Sequence, residues 1–173
     1  MSHHAFFDFA WTVDVRRGVL QRLIGSFKFH HQRAGGDVLA ALLAESVPPF
    51  PTSVVVVPIP TIRAHVRQRG YDHALVLARG FAKRRGVVVR QLLVRQHQAV
   101  QHTSDRATRI AQARTAFGVT GRIDPSVTYV IVDDIITTGA TVQQAARVLK
   151  EAGAGGVWVV AVGRQATQSR LQM

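Results

Sequence analysis

The sequence contains no cysteine, which excludes disulfides and thiolate metal sites and fits a reducing compartment. No apolar run approaches the roughly 20 residues of a membrane-spanning helix. The aromatic stretch at residues 5–11 is broken by Asp8 and has no basic region ahead of it, so it does not read as a secretion signal. The expectation is a soluble, cytoplasmic chain with no membrane insertion. Acids are scarce, 10 against 22 Lys and Arg. Aromatics are scarce too, at 7%, and in the basic middle of the chain only Tyr71 and Phe81 occur. That argues against a base-stacking platform for single-stranded nucleic acid and leaves only backbone binding by Arg.

What is present is a globular composition, 47% hydrophobic and 18% charged over 173 residues, which suits one domain with a sizeable core. The charge is unevenly placed. Residues 63–114 carry eleven Arg and one Lys against Asp72 and Asp105, so +10 of the net +12 lies there. Of the 22 basic residues 19 are Arg, the side chain suited to bidentate capture of phosphate oxygens. Either these cations serve a phosphate-rich partner, or most of them are solvated surface.

Hydrophobic spacing gives the elements. Val19, Leu20, Leu23, Ile24 and Phe27 recur at helical period over residues 16–29, as do Val38, Leu39, Leu42 and Leu43 over 36–46, where Pro48, Pro49 and Pro51 follow. Val54 to Val57 read as a buried strand ended by Pro58 and Pro60. A loop at 61–73 precedes a helix with Ala74, Leu77, Ala78 and Phe81 on one face, stopped by Gly86; residues 87–93 then read as another strand. Strand, loop, helix, strand argues for a right-handed βαβ unit. Residues 95–114 are polar, basic and expected to be mobile; 121–126 form a turn, and 157–162 the last clear strand.

The informative stretch is 129–141. Val130, Ile131 and Val132 suit a strand buried on both faces of a parallel sheet. Asp133 and Asp134 follow at its carboxyl end, where open α/β sheets place their ligands. Thr137, Thr138, Gly139, Ala140 and Thr141 then offer hydroxyls and backbone N–H groups just ahead of a helix with Val142, Ala145, Ala146 and Leu149 as its stripe. Such a turn can hold a phosphate at a helix N-terminus.

This segment resembles the phosphoribosyl-pyrophosphate (PRPP) motif of type I phosphoribosyltransferases: apolar strand, two acids, two apolar residues, then Thr-Thr-Gly-Ala-Thr. The resemblance implies an α/β fold with a mainly parallel central sheet flanked by helices on both faces. It implies that Asp133 and Asp134 contact the ribose hydroxyls and act in catalysis, and that Thr137, Thr138, Gly139, Ala140 and Thr141 grip the 5′-phosphate. A second stretch, Val-Val-Pro-Ile-Pro followed by spaced Arg and Arg-Gly-Tyr-Asp-His, resembles the ComF/GntX branch of that fold. Asp72 and His73 stand where that branch usually has Asn and Gln. By this resemblance Arg63, Arg67, Arg69 and the backbone around Gly70 would bind pyrophosphate, and a flexible basic loop with Arg95, Arg106 and Arg109 would close over PRPP. Lys28-Phe29 matches the branch's Lys-Tyr or Lys-Phe pair, and Arg114, Ala116 and Phe117 the end of its basic loop, with Gln112 where Asn is usual. The resemblance covers roughly residues 11–163.

The domain organisation expected is therefore a single phosphoribosyltransferase-like domain over 1–173: a helical part at 1–50, a PRPP-binding core at 51–163 and a polar tail at 164–173. The resemblance implies Mg²⁺ brought with PRPP and held by no assigned protein ligand. Many members of the branch begin with a cysteine-rich zinc module. Here the adjacent pairs His3-His4 and His30-His31 have no thiolate partner, so no zinc is expected. Two functions of different class remain open: an enzyme moving phosphoribose onto an unidentified acceptor, or a non-catalytic PRPP or nucleotide sensor linked, as the ComF name implies, to DNA uptake in competence. Single-stranded DNA, the competence machinery and a second copy of the chain are the partners these readings allow.

Overall fold

Val54, Val55, Val56 and Val57 are all buried because the strand they form is hydrogen-bonded on both sides and covered on both faces. The computed structural model describes residues 5–29, 33–50, 53–96 and 116–165. In chain order its elements are β1 (Phe9–Val15), α1 (Gly18–Phe29), α2 (Arg33–Ser46), β2 (Val54–Pro58), α3 (Arg63–Arg69), α4 (His73–Arg85), β3 (Val88–Val89), β4 (Leu93–Arg95), β5 (Phe117–Val119), β6 (Thr128–Ile136), α5 (Ala140–Glu151) and β7 (Gly156–Arg164). Five strands make one sheet in the order β1-β7-β6-β2-β3, and every pairing in it is parallel. This is the parallel α/β architecture expected from the strand and helix order. β4 and β5 pair antiparallel as a separate ribbon.

Alternation along the strands sorts the core into two layers. Val56, Val130, Val132, Trp158, Val160 and Val162 face α1, α2 and α4, where they meet Ile24, Phe27, Leu39, Leu43 and Phe81. Val55, Val57, Ile131, Val157 and Val159 face α5 and the ribbon, against Val142, Ala145, Ala146, Leu149 and Phe117. The continuous valine runs follow from this: a strand covered on both faces needs apolar side chains at every position, not at alternate ones.

Three elements differ from the sequence reading. Residues 61–73 are not all loop, because Arg63–Arg69 is helical, with Gly70 at φ 74° ending it and its N–H donating to the Val66 carbonyl. No residue of α3 is buried, so no apolar stripe announced it. The apolar run at 87–93 is not one strand. Val88 and Val89 pair with β2, after which the chain leaves the sheet so that Leu92 and Leu93 join the α5-side layer. The part at 1–50 is not only helical, since β1 adds an edge strand beside β7. Trp11 and Trp158 meet there at 4.7 Å between ring centroids, with Phe9 5.4 Å from Trp158. Asp8 fastens the start of β1, accepting from the Val157 N–H at 2.7 Å and from Lys150 Nζ at 3.1 Å. Among the described residues no helix is long and apolar enough to cross a membrane.

Candidate functional site

β6 runs past the apolar triplet to Ile136, so both acids belong to the strand, and period two sends them to opposite sides. Asp134 shares the parity of Val130 and Val132. It points toward α1 and α4, is 3% exposed, and lies 2.6 Å from Lys28 Nζ and 3.5 Å from His73 Nε2 through Oδ2. Asp133 shares the parity of Ile131 and is half-buried beside the turn into α5. Its Oδ1 accepts the Asp134 N–H at 2.8 Å. Burial first, and then the negative charge of Asp134, push its carboxyl up to about 8.

A cleft of about 250 Å³ opens at this end of the sheet, lined by Asp133, Thr141, Lys28, Arg69, His73 and Arg95 together with the β2–α3 connection. One carboxyl thus faces three fixed cations. Each is held by the fold. Lys28 is the penultimate residue of α1, whose last turn is pinned where Phe27 is fully buried and Tyr71 Oη donates to the Phe27 carbonyl. Arg69 ends α3, and its Nη1 lies 3.0 Å from His73 Nδ1. Because arginine only donates, Nδ1 accepts and the ring proton sits on Nε2, toward Asp134. Burial lowers the His73 pKa, opposed by the charge of Asp134. Arg95 donates through Nε to the Pro60 carbonyl at 2.7 Å and lies 5.0 Å from the centroid of the Phe117 ring. Burial lowers its pKa, and Asp133 opposes that; it stays charged.

The remaining wall is the start of α5. Gly139 sits at φ 79° at the helix N-cap, a conformation that glycine adopts without strain. Thr138 Oγ1 accepts the Ala140 N–H at 3.3 Å. Thr137, Thr138 and Thr141 are exposed, and Asp133, Thr137, Gly139 and Thr141 line a small hollow of their own. A 12-residue helix presents its positive dipole end there.

Of the residues singled out from the sequence, Asp133, Thr141, Arg69 and Arg95 come together in the cleft. Arg63 lines an adjoining hollow of about 540 Å³ bounded by Pro60, Val94, Arg95 and Gln96. Arg67 is exposed on α3, and the Gly70 N–H is engaged in ending that helix. Arg106 and Arg109 lie outside the described residues.

No protein-family model matches the sequence, and no curated protein matches it. Among solved structures, the glutamine PRPP amidotransferase from B. subtilis, complexed with ADP and GMP, overlays at TM-score 0.52 and 23% identity, over 76% of this chain and 26% of that one. An allosteric regulatory enzyme of purine biosynthesis overlays at TM-score 0.50 and 22% identity, over 78% and 25%. The chain has the type I phosphoribosyltransferase fold. It spans about a quarter of the length of those two proteins.

Within that fold, sequence reasoning missed Lys28, His73 and His65, all of which line the cleft. The parity of β6 was the available signal: it sends Asp134 into the helical layer, where a buried carboxylate needs a cation. Asp72 also has a clear role, as the N-cap of α4. It accepts the Leu75 N–H at 3.1 Å and the Thr61 hydroxyl at 2.7 Å, which fixes the β2–α3 connection against the helix that carries His73.

Proposed function

We propose that the chain binds PRPP and transfers its phosphoribosyl group to an acceptor with release of pyrophosphate. The observation that carries this reading is the placement of Asp133 opposite Lys28, Arg69 and Arg95 across one cleft, with the α5 N-terminus beside it. A ribose flanked by a 5′-phosphate and a pyrophosphate needs that pattern: one hydroxyl acceptor between two anion sites. The loop from Thr137 to Thr141 would take the 5′-phosphate through hydroxyls and backbone N–H groups. Arg69 and Arg95, with Arg63 from the adjoining hollow, would take the pyrophosphate.

In such a transfer the bond from ribose C1 to the pyrophosphate oxygen breaks as the ring gains positive charge. A bond from C1 to the acceptor's nucleophilic atom forms, with that atom's proton passing to solvent, and the departing pyrophosphate carries the negative charge away. Cations fixed before the reaction stabilise that leaving group without reorganising. Asp133 accepts from the ribose hydroxyls and, once ionised, favours the developing positive charge. Mg²⁺ suits this site as a companion of the ligand. Asp133 is one acid facing the cleft, and among the described residues no group of three His, Cys, Asp or Glu is placed to hold a metal; phosphate and ribose oxygens would therefore supply most of its ligands. When bound it neutralises pyrophosphate charge.

The same reading extends to the ComF/GntX branch, on the strength of Pro58-Ile59-Pro60 and Arg69-Gly70-Tyr71, of which Ile59, Pro60 and Arg69 line the cleft. The alternative, a non-catalytic PRPP or nucleotide sensor that meets DNA in competence, is favoured by the exposed cations Arg67, Arg79, Lys83 and Arg90. Against it, Arg84 is paired with Asp37 at 2.8 Å and Arg85 donates to the carbonyls of Ala44 and Val47, so part of the basic stretch is structural.

Calorimetric titration with PRPP and Mg²⁺ tests the reading. Binding that Asp133→Asn removes supports it, and equal affinity in the two proteins overturns it. Steady pyrophosphate release with a panel of bases and amines marks the enzyme. Tight binding without release, together with a salt-dependent shift of single-stranded DNA, marks the alternative.

A further inference from the structure

The cleft contains a cation that no sequence motif assigned to it. Lys28 comes from α1, outside the β2-to-β7 portion that carries the acids and the threonine loop, and its amine is part of the cleft wall. It sits 2.6 Å from Asp134 Oδ2, with side-chain exposures of 19% for Lys28 and 5% for Asp134. The amine is therefore reachable from the cleft and the carboxylate behind it is not.

Two roles compete for this lysine. It could be only the counter-ion of a buried acid. A buried ion pair is weak evidence of a stabilising purpose, since desolvation offsets most of the attraction. A pair wholly inside the helical layer would serve that role equally well, yet here one partner lines the ligand cleft. An ammonium also has three donors, and its one contact with Asp134 Oδ2 leaves capacity for a ligand at the cleft wall that Lys28 lines.

The charges facing Lys28 point the same way. From β6 come Asp134 and Asp133; from α4, His73; from α3, Arg69. With His73 neutral, the two carboxyls are the local acids. An uncompensated carboxylate behind the cleft wall would repel a phosphate ligand, and Lys28 screens it.

We infer that Lys28 is an anion-binding residue of the site: it neutralises Asp134 with one side of its ammonium group and donates to a phosphate oxygen of the ligand with the other, so that α1 completes the cleft. This rests on the reading that a ligand bearing pyrophosphate occupies the cleft. Asp134, on this view, is a positioning residue acting through Lys28, and Asp133 is the acid that touches the ligand. The placement of α1 fits the role. Phe27 fills the space against Gly36, where a Cβ would lie 2.7 Å from the Phe27 ring, and Tyr71 holds the Phe27 carbonyl, so the residue after Phe27 has little freedom.

The experiment titrates PRPP with Mg²⁺, and separately inorganic pyrophosphate with Mg²⁺, into the wild-type chain, Lys28→Met, Asp134→Asn and the double variant, and records the thermal midpoint of each. Lys28→Met should lose about tenfold or more in affinity for both probes, the size expected for a charge-assisted hydrogen bond. Its thermal midpoint should fall, because a buried carboxylate loses its partner. Combining the two changes removes the orphaned charge and should restore the midpoint. The further loss of affinity relative to Asp134→Asn alone should persist. Recovery of affinity together with the midpoint would make Lys28 a strut and overturn the inference, as would Lys28→Met affinities within twofold of wild type. If the wild-type chain binds pyrophosphate but not PRPP, the proposed function fails while Lys28 is still tested on pyrophosphate. If it binds neither, both fall.

Discussion

The hydroxyl of Tyr71 donates to the backbone carbonyl of Phe27, 44 residues earlier. That carbonyl lies in the last turn of α1 and has no partner within the helix, so the side chain that opens α4's connection also closes α1. Tyr71→Phe keeps the ring, which lies 5.8 Å from the Phe27 ring, and deletes only the donor. Urea denaturation should show a loss of about 1–3 kcal/mol with an unchanged m-value. A loss below about 0.5 kcal/mol would mean that water replaces the hydroxyl without penalty.

The same substitution should have opposite signs at two glycines. A Cβ on Gly80 of α4 would lie 2.7 Å from the Ala40 Cβ of α2, whereas one on Gly25 of α1 would meet nothing within 4 Å. Alanine gains about 1 kcal/mol over glycine inside a helix, and overpacking costs about 1–3 kcal/mol. Gly25→Ala should therefore raise the thermal midpoint and Gly80→Ala lower it. Scanning calorimetry on the two variants decides this, and a rise in both would show that α2 and α4 can separate freely.

Stability should depend on pH through Asp133 in an unusual sense for an acid. Its carboxyl moves from the ordinary 3.8 up to about 8, so the folded chain holds a proton that the unfolded chain has already released. The contribution is complete below about pH 4 and is lost as pH rises toward 8. His73, with its pKa lowered from 6.5 by burial, contributes in the other direction, its share lost as pH falls below that value. Thermal midpoints of wild type minus Asp133→Asn isolate the first effect and should decline steadily from pH 5 to pH 8. Because a bound divalent cation would expel the proton, affinity for PRPP with Mg²⁺ should increase over the same range.

Arg95 joins the ribbon to the end of β2 and faces Asp133 across the cleft. Arg95→Ala should lower PRPP affinity about tenfold. Arg95→Lys should recover only part of it, since an ammonium keeps the charge but loses the planar fork that reaches both Pro60 and the Phe117 ring. Calorimetric titration of the three proteins measures this; full recovery with Lys would reduce Arg95 to a point charge.

The sheet was legible where both faces are buried. Val54 to Val57, Val130 to Val132 and the run after Gly156 carry apolar side chains at every position, and the stripe of α5 was read residue for residue. The hidden parts have physical reasons. α3 buries nothing, so no periodicity marks it. Residues 87–93 are apolar throughout because one end serves the sheet and the other the α5-side layer, and hydrophobicity does not distinguish two destinations. Phe9, half exposed, and Trp11 form an edge whose one strand neighbour among the described residues is β7, which nothing local announces. At the site, the acid pair was found by its position after the strand. The split between Asp133 and Asp134 needed the strand to continue, and the role of Lys28 needed α1 to be packed in place.

The pairing of β1 with β7 also sets an order of events. Phe9 aligns with Trp158 and Val15 with Arg164, partners separated by about 150 residues, and among the described residues β1 pairs with no other strand. Loop closure over that span must precede any reward from the pairing, which slows the step relative to the shorter-range contacts of α2 with α4. Synthesis from the N-terminal side makes β1 early and its partner late, so an aromatic strand with an open ladder waits while the rest collapses. Until β7 is in place that open ladder is where association between chains competes with folding.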